Sequence, residues 1–382
     1  MKTQSVFQHH LPVKIHFATE TLLDLTPFYS DNDPNFSTLL VISKSVSKIF
    51  KQLFAKLPDN FIIYSEVKKN PDCRDIADMA IPTNCNRIIG IGGGSVMDSA
   101  KACFARLITH DKYLLRDLIN RPELIATASN TRQNFQLHLV PTTFGTSSEL
   151  TCWGTVWDWQ KSEKLSIGHP LLYADQALIY PRLSDTLPEQ ITAYTGLDTL
   201  SHAMESYWNR ASTPISRIHC LESIKYCVDT LPHLIKELGK QKYRDKIAIA
   251  SILAGMAFSQ TKTSTAHALS YPLTLQHNIP HGFACSITLG ELFQYNYNTA
   301  PDIMAPVLKI FQESMGSNST DFSEIFREFL ATCNVTANLR DYWVTKENIP
   351  KLAKAAFLPK QTGSMLYQVT EKEIAEIFTA VL

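Results

Sequence analysis

The 382-residue sequence carries no net charge, with 36 lysines and arginines set against 36 aspartates and glutamates. It therefore has no one-signed field to draw it to nucleic acid or to an anionic membrane. Long apolar runs are also missing. The longest, Ile247 to Phe258, falls short of the ~20 residues that cross a bilayer and reads as a buried helix. The opening residues, MKTQSVFQHHLPVKIHF, lack the apolar core of a secretory signal, so cytoplasm is the expected compartment. The eight cysteines are scattered without a CxxC pair, which favours buried thiols over a disulfide framework. There is no internal repeat and no low-complexity segment. What remains is an ordinary globular composition, 45% hydrophobic and 19% charged. The length favours two cores over one.

Short apolar runs alternate with helical patterns through the first 180 or so residues. TLLVIS (38–43), FIIYSE (61–66), RIIGIGG (87–93) and LHLVPTT (137–143) read as strands. Val46 to Leu57 and Cys73 to Met79 have helical spacing between them. Such alternation predicts a parallel sheet covered by helices, a Rossmann-like α/β domain that binds ligands at the carboxyl ends of its strands. Beyond Pro181 the strand runs stop. Helical patterns follow at Thr192–Asn209, Ile215–Cys227, Lys246–Phe258 and Asp321–Thr332. LSDTLPEQ (183–190) reads as the hinge, with Asp185 or Thr186 as a helix N-cap. The expected division is an α/β domain over 1–182 and an all-helical domain over 183–382.

Two loops and one constellation carry chemistry. GIGGGSVMDSAK (90–101) follows a strand and opens a helix. Glycines there let backbone N–H groups approach a pyrophosphate, and Ser95 adds a hydroxyl. A tight turn is the plainer account of a glycine cluster alone. A second polar loop at a strand end, PTTFGTSSELT (141–151), shifts the balance toward a dinucleotide site. Asp198 and His202 in GLDTLSHAMES lie four apart, on one face of a helix. His267 and His281 follow downstream. One carboxylate and three imidazoles suit Fe(2+) or Zn(2+).

GGGSVMDSAK, PTTFGTSSE, GLDTLSHAMES, AHALSYP and IPHG, in this order and at these spacings, resemble the iron-containing alcohol dehydrogenases across nearly the whole chain. The resemblance implies a nucleotide-binding α/β domain followed by a helical metal domain. It implies metal ligation by Asp198, His202, His267 and His281. It implies NAD(P)H contacts by Gly93, Gly94, Ser95, Asp98, Thr142, Thr143, Thr146, Thr151 and Lys164, with Asn70 and Pro71 near the adenosine. A homodimer is common in the family. Two departures stand out. Many members have a second histidine four residues after the third metal ligand, where this sequence has Tyr271, a proton donor with an ordinary pKa of about 10. NAD-specific members often end the second strand with aspartate, where this sequence has Ser43 followed by Lys44. That exchange admits the 2′-phosphate of NADPH.

SQTKTSTAHALSYPLT (259–274) with TVWD (155–158) is most similar to the phosphonoacetaldehyde reductase branch, which makes 2-hydroxyethylphosphonate. On that reading Lys262 grips the anionic end of the substrate, and Tyr271 serves the proton path. The alternatives are a general short-chain alcohol or diol dehydrogenase, a lyase of the dehydroquinate synthase type and a non-enzymatic binding protein. The lyase uses a glutamate and two histidines, which the Asp/His/His/His set disfavours.

Overall fold

The computed structural model describes residues 7–19, 25, 28, 35–49, 57–161 and 163–382. The chain divides into two compact units. One comprises residues 11–143 and 147–184, the other residues 1–10, 144–146 and 185–382.

The first unit is built on a six-stranded sheet of order β1-β8-β5-β4-β2-β3, every neighbouring pair parallel. Its strands are β1 (Lys14–Phe17), β2 (Ser37–Ser43), β3 (Phe61–Val67), β4 (Cys85–Gly92), β5 (Gln136–Pro141) and β8 (Gln176–Ile179). In β2 the six residues before Ser43 are all buried, because such a sheet is covered on both faces and needs apolar side chains on each. That continuous run made β2, β4 and β5 readable. β3 is an edge strand and leaves Ile62 and Ile63 each 43% exposed. The four-residue β1 and β8 are too short to show a pattern of their own. They gain strand identity by pairing with each other, Lys14 opposite Gln176. An antiparallel hairpin, β6 (Trp153–Asp158) with β7 (Glu163–Gly168), also belongs to this unit.

Helices α1 (Lys44–Ile49), α2 (Cys73–Ala77) and α3 (Gly94–Ile108) follow β2, β3 and β4. The expected helix from Val46 to Leu57 is seen as α1, and residues 50–56 lie outside the described residues. The chain steps from β2 outward to β3, then back across β2 to β4. The crevice for a ligand in such a sheet therefore opens between the carboxyl ends of β2 and β4, at Ser43 and Gly92.

The second unit is helical. α4 (Glu189–Tyr207), α5 (Pro214–Lys236) and α6 (Gln241–Thr261) pack on one another, and α7 (Thr265–His277) and α8 (His281–Ser286) follow. α4 starts at Glu189, ahead of the expected pattern at Thr192 but after the expected caps, with Pro188 at its N-cap in an extended conformation. Proline suits the start of a helix and offers no N–H to bond, so neither Asp185 nor Thr186 caps it. α7 ends at Asn278 in the left-handed conformation, a usual way to stop a helix sharply. Three residues later α8 begins. All eight cysteines carry thiols, and all but Cys152 are buried. No helix among the described residues is long and apolar enough to cross a membrane.

Candidate functional site

The glycine loop of the sheet unit is shaped by close approach. A Cβ on Gly92 would stand 2.4 Å from Val96 Cγ2, so only glycine permits the turn from β4 into α3. Gly93 is the N-cap of α3 and Gly94 its first residue, with no side chain capping the helix. Helix-start N–H groups in that state take an anion readily. The second polar loop meets the first through Thr142 N–H, which donates to Gly92 O at 3.0 Å. Thr143 Oγ1 lies beside Gly93, 3.2 Å from the position a Cβ would take. Asn70, at φ 52°, donates its N–H to Ser95 Oγ at 3.1 Å. Asn70, Gly93, Gly94, Ser95, Thr142 and Thr143 thus gather at one end of the sheet. A surface cavity of ≈ 220 Å³ adjoins them, lined by Asn70, Lys68, Lys69, Arg74 and Trp159 among others. Thr146 falls instead in the helical unit, with Phe144 and Gly145.

Behind these loops lies a buried polar clamp that sequence reading missed. Lys101 on α3 is fully buried. Its ammonium donates to Ser148 O, to Ser148 Oγ at 2.8 Å, to Thr151 Oγ1 at 2.9 Å and to Trp153 O at 2.7 Å. Burial still draws its pKa down to about 8. One turn earlier, Asp98 accepts from Ser148 Oγ at 2.6 Å and from Thr155 N–H at 2.9 Å. Asp98 and Thr151, expected at the cofactor, stand within this clamp and hold the hairpin against α3. Lys164 sits on β7 opposite Trp157; burial raises the pKa of Asp98, and the charges of Lys101 and, more weakly, Lys164 oppose that rise.

Ser43 closes β2. Its hydroxyl bonds Ser45 Oγ at 2.8 Å and accepts Val46 N–H at 3.4 Å, capping α1. Lys44 Nζ lies 2.7 Å from Glu66 Oε2, both side chains largely in water. The cation expected to favour a 2′-phosphate therefore already has an anionic neighbour.

In the helical unit three of the four metal candidates, Asp198, His267 and His281, bring ligand atoms within 4.8 Å of one another, and His202 lies beside them. α4 places Asp198, His202 and Glu205 at i, i+4 and i+7, one stripe of a buried helix. The first two are 3% and 5% exposed and Glu205 fully buried. Asp198 Oδ1 is 3.7 Å from His267 Nε2 and 3.9 Å from His281 Nε2. These separations exceed hydrogen-bond length. They match donors held about 2.1 Å from one cation, which stand roughly 3–4 Å from each other. Charge also fits, since a carboxylate and neutral imidazoles suit a divalent ion.

Gly282 makes the convergence possible. A Cβ there would lie 2.0 Å from Tyr194 O and 3.2 Å from Asp198 Cβ. Only glycine lets the first turn of α8 press on α4 and bring His281 to Asp198. His202 Nδ1 donates to Gly145 O at 3.1 Å and its ring stacks on Phe258 with 4.2 Å between centroids, so the Nδ1 that stands 3.9 Å from Asp198 Oδ1 is not a ligand atom and only Nε2 is left for a cation.

Glu205 is the second residue that sequence reading missed, although its i+7 spacing from Asp198 was a signal. Its carboxylate accepts from His267 Nδ1 and from His267 N–H at 3.3 Å. Backbone bonds from Ser264 and Ala266 at the start of α7 also favour its charged form, against burial that pushes its pKa up to about 7. With Nδ1 so engaged, His267 presents Nε2 to Asp198. Partners of this kind orient a ligand and raise its basicity. Glu205→Gln is expected to weaken metal binding ~10–100-fold. Competition with a chromophoric chelator measures this, and unchanged affinity would leave Glu205 only a helix cap.

Lys262 terminates α6 with φ 63° and ψ 178°, and it is exposed. Its N–H donates to Phe258 O at 2.7 Å and its C=O accepts from Thr261 Oγ1 at 3.0 Å. Tyr271, on α7, accepts from Gln361 Nε2 at 3.1 Å.

The fold agrees with that of similar proteins. The iron-containing alcohol dehydrogenase family matches residues 12–181, and the C-terminal part of the Fe-containing alcohol dehydrogenase family matches 192–382. A sulfoacetaldehyde reductase of Bilophila wadsworthia (strain 3_1_6) is 30% identical over 312 residues, 78% of each chain. A choline dehydrogenase of Bacillus subtilis (strain 168) is 28% identical over 333 residues, 81% of this chain and 78% of its own. The crystal structure of a sulfoacetaldehyde reductase from Bifidobacterium kashiwanohense in complex with NAD+ superposes with a TM-score of 0.84 at 23% identity, covering 98% of both chains. With both of its units matched in order, the chain belongs to the iron-containing alcohol dehydrogenases, a family of oxidoreductases.

Proposed function

We propose that the chain reduces a two-carbon aldehyde bearing an anionic group, phosphonoacetaldehyde to 2-hydroxyethylphosphonate, at the expense of NAD(P)H. The observation that carries this reading is Lys262. It is an exposed cation five residues before His267, held in a backbone conformation that normally requires glycine. A phosphonate or sulfonate needs such a donor. The similarity to a sulfoacetaldehyde reductase, an enzyme named for an anionic two-carbon aldehyde, supports the same substrate class.

On this reading Asp198, His202, His267 and His281 hold the iron, and Glu205 fixes the His267 ring. When bound, the metal would supply Lewis acidity toward a carbonyl group and the reduced nicotinamide the hydride equivalent. Lys262 binds the anionic end and orients the aldehyde. Tyr271, whose oxygen accepts from Gln361 Nε2, serves the proton path toward the developing alcohol. Asn70, Gly93, Gly94, Ser95, Thr142 and Thr143 bind the dinucleotide. Ser43 leaves room for a 2′-phosphate, so NADPH serves at least as well as NADH.

An aldehyde panel with both nucleotides tests the proposal. Phosphonoacetaldehyde and sulfoacetaldehyde are expected to exceed neutral aldehydes of similar size in kcat/KM by a factor on the order of 10 or more, as expected for a charge-assisted contact. Better turnover of the neutral aldehydes would overturn the substrate and leave the family assignment standing. A strong preference for NADH would overturn the reading of Ser43.

A further inference from the structure

The second polar loop runs through both units of the chain. It leaves β5 after Pro141, where Thr142 N–H is tied to Gly92 O at 3.0 Å. After Thr143 three residues belong to the helical unit, and the chain rejoins the sheet unit at Ser147. Both sides hold it firmly. In the helical unit Phe144 O accepts from Thr199 Oγ1 at 3.2 Å and Gly145 O from His202 Nδ1 at 3.1 Å. A Cβ on Gly145 would stand 2.8 Å from Thr195 O, so glycine is needed for the segment to lie on α4. In the sheet unit Ser147 turns in the left-handed conformation, φ 46° and ψ 30°. Ser148 then enters the Lys101 clamp, its Oγ accepting from the ammonium at 2.8 Å. Three residues fixed at both ends leave Gly145 O little freedom of its own.

We infer that Phe144–Thr146 couples nucleotide binding to metal binding, each strengthening the other, by setting where Gly145 O stands for the Nδ1–H of His202. The inference rests on the reading of Thr142 and Thr143 as nucleotide contacts and of His202 as a metal ligand. A nucleotide held at Thr142 and Thr143 orders the exit of the loop from β5, and with it the carbonyl of Gly145. An imidazole that binds a cation through Nε2 carries its proton on Nδ1, and the acceptor of that proton fixes the tautomer and the ring. Gly145 O is that acceptor. With a cation on Nε2 the Nδ1–H becomes the stronger donor, which tightens Phe144–Thr146 on α4 in return. The two ligands therefore favour one arrangement of the loop, and the factor by which each helps the other must be the same in both directions.

Calorimetric titration of the full-length protein measures the link, with the metal-free and the zinc-loaded states compared. The probes are NADPH and ADP-ribose, which lacks the nicotinamide. Zinc is expected to tighten both by a factor on the order of 5 or more, and chelator competition should show zinc tightened by the same factor when either is bound. Gly145→Ala pushes the segment off α4. It is expected to abolish the factor at saturating zinc, while the metal-free variant binds NADPH as the metal-free wild type does. A direct attraction between cation and nucleotide would survive that substitution. Thr199→Val keeps the side-chain shape, removes the donor to Phe144 O and should weaken the link. Zinc bound with unchanged nucleotide affinity, or a factor that persists in Gly145→Ala, overturns the inference and leaves the metal reading standing. A wild-type chain that binds no zinc, or no nucleotide in either state, overturns the reading of that site and the inference with it.

Discussion

Alanine at His267 is expected to leave a folded protein that retains little metal and has lost on the order of 10³-fold or more of its aldehyde-reducing activity. A Lewis acid contributes several kcal/mol to stabilising charge in the transition state, and about 4 kcal/mol corresponds to ~10³ in rate. Among the residues proposed as ligands, His267 is the most heavily supported by its surroundings. Its Nδ1 and its backbone N–H both go to Glu205, and its Nε2 lies 3.7 Å from Asp198 Oδ1. Removing the ring takes one donor from the cation and leaves a buried carboxylate short of a partner, a cost of about 1–3 kcal/mol in stability. Metal analysis and circular dichroism on the purified variant separate the two effects. His202→Ala should act in the same direction. Full activity in a wild-type preparation exhaustively stripped of metal would sink the whole reading.

Lys262 should separate function from stability. Lys262→Ala is expected to raise KM for an anionic aldehyde by a factor on the order of 10 to 100, a lost charge-assisted contact of ~1.5–3 kcal/mol, and to change turnover of a neutral aldehyde little. Lys262→Gly should do the same to KM while stabilising the fold. At φ 63° and ψ 178° the backbone occupies a region nearly confined to glycine, where another residue costs about 1–3 kcal/mol. Glycine returns part of that through its greater freedom in the unfolded chain, leaving a gain of about 1 kcal/mol. Unfolding curves and steady-state kinetics on both variants check this. Equal losses on charged and neutral aldehydes, or no gain in stability with glycine, would make Lys262 a structural residue.

The parts of this protein that are local in sequence were legible there. Buried parallel strands need apolar residues on both faces, so β2, β4 and β5 announced themselves as unbroken runs. Asp198 and His202 were readable as a pair because one helical turn relates them. The glycine loop was readable as a nucleotide candidate only together with the second polar loop at a strand end, since a tight turn explains a glycine cluster alone. β1 and β8 were not, because four residues carry no period and only their pairing makes them strands.

The remainder depended on chain segments far apart in sequence. Lys101 looked like one more helix lysine until the loop at Ser148 to Trp153 folded over it and supplied its acceptors. Glu205 became the support of His267 only when α7 set its N-terminus on α4, 62 residues apart in the chain. His281 reached Asp198 because Gly282 alone allows α8 to lie against Tyr194. Sequence by itself determined the family, the order of the two units and the residue types offered to metal and nucleotide, since these follow from local patterns. Which side chains meet, which nitrogen of His267 faces Asp198 and which backbone angle Lys262 must hold were decided by tertiary packing, because each depends on an atom contributed by a distant segment.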